Sequence, residues 1–321
     1  MSAEHSIAPW HPSDLEVVIH VRNLGKCYGS HAAVRGIDLD VYKGEIFGFL
    51  GPNGAGKTTT VEILEGFRSR DVGEVAVLGV DPAEGRSAWR DRIGVVLQDS
   101  VPEPGLTVRE CLQLYAGYYS APRDVGETIT LVGLEGASTT AATDLSGGQR
   151  RRLDVALALI GDPEIVFLDE PTTGFDPSAR RAAWDMIDAL RQLGKTIFLT
   201  THYMDEAERL ADRIAVLAAG QIVAEGTPRT LGGRRNMAAT IRFTLPDGLT
   251  SSDLPAFMSA LVRVGRAGDT ELSTEDPLLH LAVLTRWAYR RGVDLPDLEV
   301  RRPTLEEVYL MLTAMPAQGP R

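Results

Sequence analysis

The sequence predicts an α/β fold with a mainly parallel, covered sheet, a helical insert and a small C-terminal α+β domain. Short apolar segments, such as residues 45–50, 164–168 and 196–200, alternate with segments of helical spacing. The chain has 321 residues, and its 44% hydrophobic and 24% charged residues are typical of globular proteins. Because this length exceeds one ordinary domain, we expect two domains.

The elements of the larger domain follow in a regular order. Residues 1–14 lack periodicity and predict a flexible tail, and strand-like alternation begins at Leu15. Helical patterns at residues 107–135 and 149–160 predict an insert at about residues 99–160. The remaining predicted elements are a helix at residues 58–67 and strands at residues 17–21, 37–41, 45–50, 74–78, 93–97, 164–168, 196–200 and 213–217.

A stretch rich in glycine and arginine at residues 232–235 predicts a linker. We therefore expect the larger domain at residues 15–232 and an accessory domain at residues 236–321. The accessory domain is predicted to contain strands at residues 239–245 and 298–302 and helices at residues 254–264, 277–291 and 305–313.

Composition excludes several classes of function. The net charge of −11 argues against an extended nucleic-acid surface, and the apolar runs fall short of the ~20 residues of a membrane-spanning helix. The only cysteines, Cys27 and Cys111, favour a reducing cytoplasm over a disulfide framework. His and Cys residues lack metal-site spacing, so zinc is not expected.

Residues 51–58, GPNGAGKT, match the phosphate-binding pattern G-x-x-x-x-G-K-[ST] between a predicted strand and a predicted helix. Glycines allow consecutive N–H groups to point at phosphate oxygens, and the helix N-terminus adds a positive dipole. Lys57 would reach the β- and γ-phosphates, and Thr58 would bind Mg²⁺. The alternative, a flexible glycine loop with a surface lysine, is disfavoured by the flanking strand and helix. The candidate loop residues are Gly51, Pro52, Asn53, Gly54, Ala55, Gly56, Lys57, Thr58 and Thr59.

Two carboxylates, Asp169 and Glu170, follow an apolar strand. Asp169 is suited to hold Mg²⁺ directly or through water, and Glu170 is suited to act on the attacking water as a general base or orienting group. An acidic turn after a strand is common in α/β proteins, so the functional interpretation depends on the preceding phosphate loop.

Ser146, Gly147, Gly148 and Gln149 precede an amphipathic helix. A serine N-cap is an ordinary interpretation of this segment. In the functional interpretation, the serine hydroxyl and the free N–H groups of the glycines would bind a γ-phosphate.

With the segment LSGGQ at residues 145–149, the chain resembles the nucleotide-binding subunits of ATP-binding cassette (ABC) transporters, whose fold is a P-loop NTPase core with an antiparallel β subdomain. The resemblance covers about residues 15–232. Further matches occur in the family's order at Tyr28, Gln98, Asp176 and His202. The segments around residues 201–208, 226–228 and 303–310 look like the drug and antibiotic exporter subgroup typified by the daunorubicin resistance ATPase.

The resemblance implies a role for each matched residue. Tyr28 would stack on adenine, Gln98 would contact Mg²⁺ or the lytic water, and Asp176 would cross to a partner subunit. His202 would contact the γ-phosphate and position Glu170 and the water. Phe175 replaces the family's usual leucine before Asp176, which leaves the packing of that loop open.

The resemblance also implies partners and a location. Two copies, or paired ABC subunits, would pack head to tail on ATP binding, so that Lys57 of one and Ser146 of the other enclose each ATP. Separate transmembrane permease subunits would place the chain in the cytoplasm, on the inner face of the cell membrane. Residues 102–119 are the candidate docking surface for those subunits, unless this amphipathic segment is entirely core.

Two other functions stay open at this point. A soluble ATPase of the same superfamily acting on ribosomes or DNA is disfavoured, because the chain has one cassette and no long coiled coil between Lys57 and Ser146. A nucleotide-regulated binding module with little hydrolysis is disfavoured by the intact Lys57, Asp169, Glu170 and His202. The transported substrate and the direction of transport are not encoded in this chain.

Overall fold

The computed structural model describes residues 16–96, 104–246, 248–259, 261–265 and 269–314. The predicted tail at residues 1–14 lies outside these ranges. The described residues form two compact units, one that extends to Pro228 and one that spans Arg229–Ala314.

The first unit contains nine strands and seven α-helices among its described residues. Its strands are β1 Val17–Tyr28, β2 His31–Tyr42, β3 Ile46–Leu50, β4 Val72–Val77, β5 Ile93–Val96, β6 Ile165–Asp169, β7 Thr196–Thr201, β8 Arg213–Ala218 and β9 Gln221–Gly226. Its helices are α1 Lys57–Leu64, α2 Ser87–Arg90, α3 Val108–Ala116, α4 Val125–Leu131, α5 Gly147–Leu159, α6 Pro177–Gln192 and α7 Met204–Leu210.

A six-stranded sheet forms the centre of this unit, in the order β5-β6-β7-β3-β8-β9. The first five strands are parallel and β9 is antiparallel to β8. Strands β2, β1 and β4 form a separate antiparallel sheet.

The parallel strands of the central sheet are buried and mostly apolar because both faces are covered. Alternate residues such as Phe47 and Phe167 pack with the antiparallel sheet and α1, whereas Ile46 and Leu168 pack with α3, α5 and α6. The ring of Phe198 lies 5.5–5.6 Å, centroid to centroid, from the rings of Phe47, Phe49 and Phe167. We expect that truncating Phe198 to alanine would cost about 3–5 kcal/mol of folding free energy.

Helices α3, α4 and α5 form the predicted helical insert. Helix α3 begins at a capping box in which Thr107 and Glu110 satisfy each other's backbone N–H groups. Val108 and Leu112 of α3, Ile129 of α4 and Leu153 of α5 are buried in one shared core.

The second unit is a four-stranded antiparallel sheet with helices. The sheet has the order β11-β12-β10-β13, and Leu284 and Ala288 of the long helix pack with Ile241 and Leu272 of the sheet. Its elements are β10 Ala239–Thr244, α8 Ala256–Ser259, β11 Val262–Val264, β12 Asp269–Thr274, α9 Pro277–Arg291, β13 Glu299–Arg301 and α10 Leu305–Ala314.

The predicted fold class is confirmed, and individual elements differ from their predictions. The helix predicted at residues 254–264 is wrong: only α8 is helical, and β11 follows because Val262 and Val264 pair with β12. Strands β9 and β12 were not predicted. No helix in the described part of the chain is long and apolar enough to cross a membrane.

Candidate nucleotide-binding site

The predicted catalytic residues follow three adjacent parallel strands, so they lie at the carboxyl edge of the central sheet. Leu50 of β3 is in register with Thr201 of β7, and Asp169 of β6 is in register with Thr200 of β7. The segments that follow these strands therefore emerge side by side: the glycine loop after β3, Glu170 after β6 and His202 after β7. The carboxyl edge of an open α/β sheet is where such folds bind ligands.

The backbone of the glycine loop is shaped for close approach to phosphate oxygens. Gly54 and Gly56 have φ angles of 78° and 106°, which favour glycine. A Cβ on Gly56 would lie 2.3 Å from the Ala33 carbonyl oxygen. Gly56 is also the N-cap of α1, and no side chain caps this N-terminus, so its N–H groups are available to an anion.

Lys57 lies inside the same loop. Its Nζ donates hydrogen bonds to the carbonyl oxygens of Gly51, at 2.7 Å, and Pro52, at 3.2 Å, and the residue is only 9% exposed. Burial lowers the pKa of Lys57, against the opposing charges of Glu170 and Asp169. The Lys57 amine therefore interacts electrostatically with the carboxylates of Asp169 and Glu170.

The remaining loop residues have distinct surroundings. Pro52, Asn53 and Gly54 are exposed, and the Ala55 N–H donates to the Pro52 carbonyl. Thr58 is exposed and Thr59 is half-buried, so the Thr58 hydroxyl is accessible to a metal ion.

Asp169 and Glu170 are fixed by backbone and hydroxyl groups. The Thr200 hydroxyl donates to Asp169 Oδ1, and the Thr173 hydroxyl donates to Glu170 Oε2 at 3.2 Å. Glu170 has a φ of 45°, an unfavourable value for a non-glycine residue that is typical of functional sites. Arg151 Nη2 supports the turn with a 2.7 Å hydrogen bond to the Asp169 carbonyl oxygen.

His202 lies beside Glu170. Its Nδ1 is 3.3 Å from Glu170 Oε2, and the imidazole is 42% exposed. The ring of Tyr203 lies 4.1 Å from the His202 ring, and the Arg180 guanidinium lies 4.1 Å from the ring of Tyr203, measured to centroids. These stacked groups hold the imidazole near the carboxylate.

Ser146 is the N-cap of α5, in a capping box with Gln149. Ser146 Oγ accepts from the Gln149 N–H at 3.3 Å, and Gln149 Oε1 accepts from the Ser146 N–H at 3.1 Å. Ser146 and Gly147 are exposed, and a Cβ on Gly147 or Gly148 would meet no atom within 4 Å. This helix N-terminus therefore faces open space.

An open cleft of about 970 Å³ adjoins this N-terminus. Glu170 and Asp176 also line it, and no residue of the glycine loop is part of its described lining. Its lining also contains Ser146, Gly147, Gly148, Gln149, Arg150, Arg151, Arg152, Asp154, Thr173, Gly174, Phe175 and Ala179.

Asp176 caps α6 and is exposed. Its Oδ1 accepts hydrogen bonds from the N–H groups of Ser178, at 2.8 Å, and Ala179, at 3.0 Å. These bonds, led by that of Ala179, lower the pKa of Asp176 and keep it ionised. The preceding Phe175 is half-buried, and its side chain lines a smaller cavity with Val155 and Met186.

Comparison with known proteins gives consistent matches. The ABC transporter family model matches residues 34–173, and a model of the C-terminal domain of ABC transporter domain-containing proteins matches residues 239–304. The Nod factor export ATP-binding protein I of Rhizobium johnstonii is 39% identical over 309 residues, which cover 92% of this chain and 95% of that protein. The chain belongs to the ABC transporter ATP-binding proteins. It is therefore an ATP-binding ATPase.

Other relatives of this ABC ATPase have similar coverage. The daunorubicin resistance ATP-binding protein DrrA3 of Streptomyces coeruleorubidus is 38% identical, over 93% of this chain and 96% of that protein. A solved dimeric ATP-binding cassette in a post-hydrolysis state, bound to ADP and Pi, matches with a TM-score of 0.58 and 25% identity. That match covers 65% of this chain and 98% of the solved chain.

Tyr28 ends β1 of the ABC ATPase and is 42% exposed. The Arg68 guanidinium lies 5.4 Å from the ring centroid and Lys26 Nζ lies 5.8 Å from it. The exposed part of the ring is accessible to a stacking partner such as a base.

Gln98 and the ligands of Mg²⁺ are the remaining predicted features of the site. Gln98 lies outside the described residues, so its predicted contacts stay a prediction. The described residues contain no group of three or more His, Cys, Asp or Glu side chains placed to hold a metal ion by themselves. A Mg²⁺ ion at Asp169 would therefore depend on Thr58, water and the phosphates of the nucleotide for its other ligands.

The sequence did not reveal several residues that shape the site. Arg151 stands in a run of three arginines that looks like a solvated helix face, yet it is buried with 9% exposure. Thr173 and Thr200 bond the two carboxylates, and only their place beside strand ends could have indicated this.

Proposed function

We propose that this ABC ATPase is the energy-coupling subunit of an exporter, in which ATP-driven dimerisation and hydrolysis move a drug- or antibiotic-like substrate through separate membrane subunits. The 3.3 Å approach of His202 Nδ1 to Glu170 Oε2, beside the buried Lys57, is the observation that carries the catalytic part. The names of the Rhizobium johnstonii and Streptomyces coeruleorubidus relatives support export and drug resistance.

The glycine loop and Lys57 hold the phosphates. The N–H groups at the uncapped N-terminus of α1 and the Lys57 amine, which bonds the Gly51 carbonyl of the same loop, would both bind the β- and γ-phosphates. Tyr28 stacks on adenine. Thr58, Asp169 and Gln98 would hold Mg²⁺, which when bound neutralises part of the phosphate charge.

Glu170 and His202 act on the attacking water. Glu170 accepts a hydrogen bond from the water and orients it toward the γ-phosphorus, or accepts its proton as general base. His202 contacts the γ-phosphate and fixes the Glu170 carboxylate. Both residues directly follow buried strands, which fix the positions of their backbones.

Ser146, Gly147 and Gly148 bind the γ-phosphate held by a second copy. The exposed, capped helix N-terminus and its open cleft support this arrangement, since the described lining of that cleft does not include the chain's own phosphate loop. Asp176, which also lines the cleft, crosses to the partner. Loss of the γ-phosphate after hydrolysis removes the bridge between the two copies, and the dimer opens.

Helix α3 provides the docking surface for the membrane subunits. Val108, Cys111 and Leu112 are buried, whereas Leu114 and Tyr118 are 44% and 72% exposed. The segment at residues 102–119, of which residues 104–119 are described, therefore has an apolar side left for a partner helix. We propose that the chain lies in the cytoplasm, on the inner face of the membrane, with an ATPase domain at residues 15–232 and an accessory domain at residues 236–321.

Phosphate release by the purified full chain tests the catalytic assignment. We expect many turnovers with Mg²⁺ and ATP, and a loss of roughly 100-fold or more in Glu170→Gln and His202→Ala. Hydrolysis by Glu170→Gln at the wild-type rate would overturn the role of Glu170.

A second assay tests the transport assignment. The chain is coexpressed with the membrane protein encoded beside it, which we expect to have about six apolar spans, and the complex is reconstituted in vesicles. Daunorubicin, the drug named in one relative, is then added, and we expect it to stimulate hydrolysis. A neighbouring gene without apolar spans, or a rate unaffected by drugs across a panel, would contradict the assignment.

A further inference from the structure

Glu206 is a buried carboxyl group that the mechanism above does not use. It lies in the first turn of α7, four residues after His202, and has no exposed surface. Its Oε1 accepts hydrogen bonds from the Thr172 hydroxyl, at 2.8 Å, and from Trp184 Nε1, at 3.0 Å. The Thr201 hydroxyl also stabilises its ionised form.

The donors to Glu206 Oε1 belong to two segments that carry proposed catalytic and partner-facing residues. Thr172 is fully buried in the turn after Glu170 and is followed by Thr173, whose hydroxyl bonds Glu170 Oε2. Trp184 is in α6, the helix that Asp176 caps. Glu206 itself is in α7, the helix that follows His202. It therefore links the turn after β6 and α6 to the helix after β7.

Stability alone does not account for this side chain. Burial raises the pKa of Glu206 above its ordinary value, and the hydrogen bonds from Thr201, Thr172 and Trp184 offset that effect only in part. Oε2 is buried without a hydrogen-bond partner among the described residues. A carboxyl group in such surroundings lowers the free energy of unfolding relative to an apolar side chain of similar volume. Its contribution is geometric: one oxygen fixes two donors on different segments.

We propose that Glu206 is a positioning residue for ATP hydrolysis: by binding Thr172 from the first turn of α7, it holds the turn after Glu170 against the helix that follows His202 and so keeps Glu170 beside His202. This inference rests on the proposed roles of Glu170 and His202. Glu206 acts through Thr172 and does not touch the nucleotide. Its loss shifts Glu170 relative to His202 without altering the glycine loop that binds ATP.

Steady-state kinetics and nucleotide affinity of the full chain separate positioning from general stability. In Glu206→Leu, we expect kcat to fall roughly 10–100-fold, because displacements near 1 Å have effects of that size. The affinity for a fluorescent ATP analogue should stay within about twofold, since Lys57 and the glycine loop are unchanged. Glu206→Gln keeps an oxygen acceptor for Thr172 and Trp184 and should retain kcat within about threefold.

Thr172→Val supplies a variant that keeps the volume of the side chain and removes one donor. We expect its kcat to fall with unchanged ATP affinity, and the double variant Thr172→Val/Glu206→Leu to lose no more than Glu206→Leu alone, because both changes break the same contact. Glu208→Leu, an exposed position on the same helix, is the matched control and should retain wild-type kinetics.

Three results would overturn the inference. The first is a wild-type kcat in both Glu206→Leu and Thr172→Val. The second is a parallel loss of kcat, ATP affinity and melting temperature in these variants. The third is a loss of kcat in Glu206→Gln as large as in Glu206→Leu. A wild-type rate in Glu170→Gln, measured in parallel, would instead refute the proposed catalytic assignment on which the inference depends.

Discussion

His202 Nδ1 lies 3.3 Å from Glu170 Oε2, although α6 and β7 separate the two residues along the chain. They meet because β6 and β7 are adjacent parallel strands whose carboxyl ends coincide, with Asp169 in register with Thr200. The glycine loop follows β3, the other neighbour of β7, so the phosphate site and the carboxylate–imidazole pair belong to one sheet edge. This adjacency is the structural basis for assigning hydrolysis to Glu170 and His202.

Replacing Lys57 with alanine tests the phosphate site. We expect at least about a tenfold loss of ATP affinity, because the amine is the positive charge inside the glycine loop and contributes a charge-assisted contact to phosphate. Equilibrium titration with a fluorescent ATP analogue measures the loss. Lys43→Ala, at an exposed lysine that pairs with Glu16, is the control and should bind normally. Equal affinities in the two variants would exclude Lys57 from the site.

Gly148→Asp tests the partner-facing role of the capped helix. A Cβ at this position meets no atom within 4 Å in the single chain, so the substitution should not disturb folding. We expect normal ATP binding but no ATP-dependent dimer and at least about a tenfold slower hydrolysis, since the new charge would face the partner's γ-phosphate.

Gly136→Asp provides the matched control for that variant, because Gly136 is also open to solvent and lies away from the cleft. It should dimerise and hydrolyse ATP like the wild type. Normal turnover in Gly148→Asp, determined by phosphate release and size-exclusion chromatography, would contradict the trans arrangement.

Glu65 should make stability depend on pH. Burial, and secondarily the charges of Asp169 and Glu62, raises the pKa of Glu65 to about 8. Between its ordinary pKa of 4.5 and about 8, the folded protein retains a proton that the unfolded chain releases. The contribution of Glu65 to stability therefore decreases as pH rises through this window and levels off above it.

Thermal unfolding of Glu65→Gln checks this dependence. The melting temperature of the variant relative to wild type should increase from pH 5 to pH 8, by a difference on the order of 5 °C. Glu84→Gln, at an exposed carboxylate, should give no such trend. A Glu65→Gln difference that is constant with pH would show that Glu65 titrates normally.

Much of the site was predictable because its chemistry is local in sequence. The glycine loop, the Asp169-Glu170 pair and the Ser146 cap each occupy a few consecutive residues. Strand ends in a parallel sheet bring the first two together. The role of His202 was predicted from the resemblance to ABC ATPases. Contacts such as Arg151 to the Asp169 carbonyl and Glu206 to Thr172 join distant segments, and no local pattern specifies them.

The accessory unit was predicted less well for a related reason. Residues 254–264 have helix-like spacing, but pairing of Val262 with Leu272 and of Val264 with Thr270 extends the sheet there instead. Tertiary pairing overrides local propensity in such short segments.

Light scattering of Glu170→Gln with Mg²⁺ and ATP tests the central claim, that each ATP is enclosed by two copies of the chain. We predict twice the monomer mass when ATP is present, because hydrolysis is blocked. With ADP, or in the double variant Glu170→Gln/Gly148→Asp, we predict the monomer mass. A monomer mass at saturating ATP, with bound nucleotide verified by filtration, would contradict it.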